Sequence, residues 1–149
     1  MGKYLLRNLA VSLAIALASG VTFGGATWVS PTYTLNTSAH ISAVGQVRTG
    51  SINLTVNHDA PCTLTVAGNP TLTNGSSTLA TAYKLTGPGY VTNRDVAWVP
   101  AATFLTHSYG ITNPGPATTL TLDVQATPPP DAAPDAGVYT ATVTLTVSW

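Results

Sequence analysis

Glutamate is missing from this chain, and Asp, Lys and Arg bring the charged fraction to only 7% of 149 residues. A soluble domain ordinarily carries about a quarter. The shortage leaves a surface of Thr, Ser, Ala, Asn and Gly, poorly defended against association. Such a surface suits a subunit packed against copies of itself better than a free monomer. Beyond residue 26, three basic residues (Arg48, Lys84, Arg94) face five acidic ones (Asp59, Asp95, Asp123, Asp131, Asp135). Without clustered Lys and Arg to neutralise phosphates, nucleic acid is not expected as a partner. Cys62 is the single cysteine, so no internal disulfide can form, even in an oxidising compartment. It is expected to be a small buried residue, with an intermolecular bridge as the alternative. Long apolar runs are also lacking: Leu9 to Ala18 falls well short of the roughly 20 residues a membrane-crossing helix needs.

Catalytic groups are equally sparse. His58 and Asp59 adjoin, and His107 lies near Tyr109. Adjacent residues on a strand point to opposite faces, and "NHDAP" reads as a turn. No Ser stands in a nucleophile-elbow setting. The sequence therefore gives no expectation of an enzyme, a cofactor or a metal site.

What is present begins with a removable leader. "MGKYLLRN" carries two positive charges, and "LAVSLAIALA" and the small residues of "SGVTFGGA" follow, the layout of a secretory signal peptide. Cleavage is expected after Ala26, with Ala18 as the alternative, giving a secreted or cell-surface protein. Thereafter strand patterns alternate with Gly, Pro and Asn, which predicts an all-β sandwich. "SINLTV" sets Ile52, Leu54 and Val56 on one face; "CTLTVAG" continues with Leu64 and Val66 before a turn at "GNP"; "STLATAYKLTG" offers Leu79, Tyr83 and Leu85. "DVAWV" reads as a short strand stopped by Pro100, with Trp98 in the core, and "AATFLTHSYG" as a helical turn or irregular crossover. "ATTLTLDVQA" turns Leu120, Leu122, Val124 and Ala126 inward, and "TPPPDAAPDAG" is a stiff extended connection, since Pro supplies no N–H. The last strand, "GVYTATVTLTVSW", alternates apolar residues with Thr and Ser as far as Trp149.

The segment before Ser51 is patterned too. "YTLNTSAHISAVGQV", 33–47, alternates almost without a break, far longer than the usual five or six residues of a strand. "RTG" at 48–50 separates it from the first domain strand. A terminal strand of this kind either pairs within its own sheet or offers an exposed edge, and β-augmentation turns such edges into joints between subunits. The expected division is therefore 1–26 leader, 27–50 extension and candidate donor strand, and 51–149 sandwich domain.

The stretch "TLTLDVQATPPPDAAPDAGVYTATVTLTVSW", 119–149, resembles pilins secreted by chaperone and usher systems, in particular the CFA/CS1-type (alternate chaperone) pilins, and the spore coat protein U domain family. The likeness lies in a strand, a Pro/Ala-rich loop, then Gly-x-Tyr and a strand ending on an aromatic, with Gly137 twelve positions before Trp149. The second Cys usual in the spore coat pattern is absent. The resemblance implies an incomplete Ig-like sandwich completed by a neighbour's strand, with a periplasmic chaperone and an outer-membrane usher as partners besides copies of itself. Tyr33, Leu35, Ala39, Ile41, Ala43, Gly45 and Val47 are then the donor residues. Tyr139, Val143, Leu145, Val147 and Trp149 are then walls of the acceptor groove. The expected function is a structural subunit of a fibre (pilus) or surface coat. The alternative is a secreted monomeric Ig-like module, with Trp28, Trp98, Tyr90 and Tyr109 lining a carbohydrate-binding face.

Overall fold

A computed structural model describes residues 8–16, 27–28, 32–40, 47–58, 60–113, 115–130 and 139–148. The alternations become strands where the sequence places them. β4 (Arg48–Asn57), β5 (Cys62–Asn74), β6 (Ser77–Thr86), β10 (Ala117–Thr127) and β11 (Tyr139–Ser148) form the body. Preceding them are β1 (Asn8–Ala16), β2 (Thr27–Trp28) and β3 (Thr32–His40). Between β6 and β10 lie β7 (Val91–Thr92), β8 (Val99–Pro100), the single turn of helix α1 (Ala101–Phe104) and β9 (Ser108–Ile111).

The strands make one curled, almost wholly antiparallel sheet that folds into two layers, a sandwich-like all-β fold. In one layer β4 pairs with β10 and β10 with β6. In the other, β9 and β11 flank β5. The layers join through β6, whose Ser77–Leu79 stretch pairs with β5 while its neighbour Ala80 onward pairs with β10. Gly75, at φ +58, opens the tight turn between β5 and β6, as a glycine at the first central position of a primed hairpin turn does.

The core lies where the period-two pattern predicts. Leu120, Leu122, Val124 and Ala126 of β10 face Leu64 and Leu72 of β5, Leu79, Tyr83 and Leu85 of β6, and Tyr139, Val143 and Leu145 of β11 in one buried cluster. Phe104 plugs its end, stacked on Tyr83 with ring centroids 4.7 Å apart. The Tyr83 hydroxyl donates to the Pro70 carbonyl at 2.6 Å, so its polar tip is satisfied inside an apolar interior.

Four local expectations are corrected. β4 begins at Arg48, which pairs with Ala126, because β10 is long enough to hold "RTG" in the ladder. "GNP" is no turn: β5 runs through it, with Gly68 (φ +111) in register opposite Val143 and the register shift against β11 falling just beyond, between Asn69 and Thr73. In "DVAWV" only Val99 belongs to a strand, and Pro100 is itself paired, opposite Ala82. Trp98 is half-buried rather than core, with the Lys84 ammonium 5.3 Å from its ring centroid.

Candidate assembly edge

β11 is the strand on which the functional expectations converge. Its alternation buries Tyr139, Ala141, Val143 and Leu145, with Val147 partly buried against the same core. Thr140 and Thr142 face outward, exposed. One side of β11 is held by β5, from Ser148 opposite Thr63 to Thr140 opposite Thr73, with the register shift between Thr140 and Thr142. A Cβ at Gly68 would collide with the Thr142 carbonyl oxygen, so only glycine lets the two backbones meet there.

The other side of β11 is covered by β1, the segment expected to be removed. β1 lies parallel to β11, with Val11 opposite Tyr139, Leu13 opposite Ala141 and Ile15 opposite Val143. β3 pairs antiparallel with the far side of β1, placing Ile15 opposite Tyr33, Leu13 opposite Leu35 and Leu9 opposite Ala39. β3 also passes alongside β4, which takes β2 at Asn57 and Val56. The β1–β3 ribbon thus spans from β11 round to β4, the two strands that would otherwise border one side of the sandwich. Among the described residues, β11 has no partner strand on that side except β1, and β3 has none except β1.

Of the expected donor residues, Tyr33, Leu35 and Ala39 lie in β3, within the same chain but one strand removed from the body. Val47 stands exposed just before β4. Ile41, Ala43 and Gly45 lie outside the described residues, as does Trp149. Tyr139, Val143 and Leu145 are fully covered and Val147 partly so.

A polar cluster that sequence reading missed is built around Asp95, between β6 and β9. Asp95 is almost wholly buried. Its Oδ2 accepts the Leu85 backbone N–H at 2.8 Å and the Tyr109 hydroxyl at 2.7 Å, and its Oδ1 lies 2.9 Å from His107 Nδ1. The Asp95 N–H returns a bond to the Leu85 carbonyl at 3.0 Å. Burial, aided by the Asp95 hydrogen bond and charge, pushes the Tyr109 phenol far above its ordinary value of 10.0. Both carboxylate oxygens are engaged by the chain itself, so the cluster ties the 87–98 loop to β6 and β9. Only its spacing, Asp95 ten residues after Leu85 and twelve before His107, was visible beforehand, and spacing of that kind predicts no contact.

Other sequence candidates disperse. The His58 ring is buried, its Nδ1 3.2 Å from the Ala60 carbonyl and its Nε2 2.7 Å from Thr118 Oγ1, bridging the β4–β5 turn to β10; Asp59 lies outside the described residues. Cys62 is buried, and that burial raises its thiol pKa. Tyr109 is buried and Tyr90 partly so, so these two form no exposed aromatic platform with Trp98. An open depression of about 500 Å³ is lined by Thr86, Gly87, Val91, Asn93, Arg94 and Val96. There the Arg94 guanidinium donates to the Gly87 carbonyl at 3.0 Å. No group of three His, Cys, Asp or Glu that could hold a metal occurs among the described residues. No family model matches the chain, and no curated protein matches it.

Proposed function

We propose that the chain is an exported structural subunit of a surface fibre or coat, an Ig-like sandwich that assembles through strand donation at the β11 edge. The observation that carries this reading is that the outer edge of β11 is paired only by Asn8–Ala16 among the described residues, inside the segment read as a cleavable leader. Once that segment is gone, the edge of a ten-residue strand is left with unmatched N–H and C=O groups, and proteins seldom leave such an edge uncovered. The pairing of β4 with β10 and β10 with β6, opposite β5 with β11, parallels the B-E-D and C-F pairs of an Ig-like sandwich. The low charge of the surface favours packing against copies over solubility as a monomer. On this reading the chain performs no catalysis, its partners are further copies of itself, and a periplasmic chaperone and an outer-membrane usher guard and pass it on.

The test is to collect the processed protein after export and run it on size exclusion and on unheated and boiled denaturing gels. A ladder of oligomers that collapses to one band on boiling is expected. Processed protein that stays monomeric at every concentration overturns the reading and leaves a self-contained sandwich.

A further inference from the structure

We infer that Asn8–Ala16 is a built-in cap: it holds the β11 edge and the β3 strand apart in the precursor, so that one cut after Ala26 bares a matched pair of edges at once. This rests on the assembly reading and adds its control. β1 is the middle strand of three, parallel to β11 on one side and antiparallel to β3 on the other. A single β1 residue serves both ladders: Leu13 is opposite Ala141 and Leu35, and Ile15 is opposite Val143 and Tyr33. Because β1 runs with β11 and against β3, β3 runs opposite to β11. Slipped in beside β11, a β3 strand would make an antiparallel ladder, which is somewhat more stable per residue than the parallel one it replaces. The cap is the weaker partner by orientation. Its ladder with β11 also covers only part of that strand, from Val11 opposite Tyr139 to Ile15 opposite Val143, and leaves the rest of the ten-residue β11 edge beyond its reach. The occupant after cleavage is the β3 strand of a second copy.

The experiment uses the full chain with a specific protease site placed between Ala26 and Thr27. Uncut chain is expected to be monomeric, with the β1-side amides of Tyr139–Val143 protected from hydrogen exchange. Cutting should raise the rate of oligomer growth, followed by light scattering, by about an order of magnitude or more, since a β1 strand that opens locally is then no longer tethered and can leave instead of reclosing. Leu13→Pro in uncut chain, which breaks the β1 ladder without touching the body, should expose the same amides and start assembly without a cut. The cap is overturned if uncut chain assembles as fast as cut chain, or if Tyr139–Val143 exchange freely in it. Cut chain that remains monomeric, with β3 amides newly protected beside its own β11, sinks the assembly reading but upholds the cap.

Discussion

Asp95 shows how much one side chain can fix in a chain with so few charges. Its carboxylate accepts from a backbone N–H and a phenol and contacts an imidazole, so Asp95→Ala leaves the Leu85 N–H buried without that acceptor and the Tyr109 hydroxyl with only its longer 3.3 Å contact to His107 Nδ1. The expected cost is about 3 kcal/mol, read as a lower urea midpoint with an unchanged slope; His107→Gln, at a half-exposed position, should cost far less. Tyrosine gives a second prediction. Burial raises both Tyr83 and Tyr109 well above their ordinary value of 10.0. A raised folded-state pKa stabilises fully below the unfolded value. Above about pH 10 the unfolded chain sheds protons that the folded one keeps, and stability falls by about 1.4 kcal/mol per tyrosine for each further pH unit. Tyrosinate absorbance and circular dichroism should therefore change together in an alkaline titration. Tyrosinate appearing before any loss of structure would contradict the burial of these rings.

At the level of elements, the period-two pattern was legible because one face of each strand is buried and the other wet. β10 buries Leu120, Leu122, Val124 and Ala126, and β11 buries Tyr139, Ala141, Val143 and Leu145, as their alternation predicts. The passage of β5 through Gly68 was not legible, since "GNP" carries the same residues as a turn and only the β11 partner, far along the chain, decides between them. Gly68→Ala should strain both the backbone at φ +111 and the approach to the Thr142 carbonyl, at a cost of about 1–3 kcal/mol. Thermal melting should show it, while Gly89→Ala, where a Cβ would meet nothing, should leave the melting temperature nearly unchanged. The 33–47 extension was legible as strand for its first part, Thr32–His40. Its partner was not, because an alternating strand accepts any neighbour of matching parity, and the leader's own parity was read only as apolar content.

For the whole molecule, the sandwich-like architecture followed from recurrent strands and turns, whereas the Asp95 cluster did not, because it depends on loops meeting across the fold. Cohesion rests on the core and the ladders: the Lys84–Asp123 ion pair is partly exposed at 3.8 Å, and the Asp95–His107 contact is an ion pair only when the imidazole is protonated. The path of β6 has a consequence for how such a body comes apart. Leu79 and Ala80 are consecutive residues, yet each is stitched to a different layer. Peeling one layer from the other must tear a single unbroken backbone segment out of both, so the body has no seam along which it could open by halves. Chemical denaturation followed by fluorescence and by circular dichroism should give superimposable single transitions; a plateau at half amplitude would mean that the shared strand does not act as a common strut.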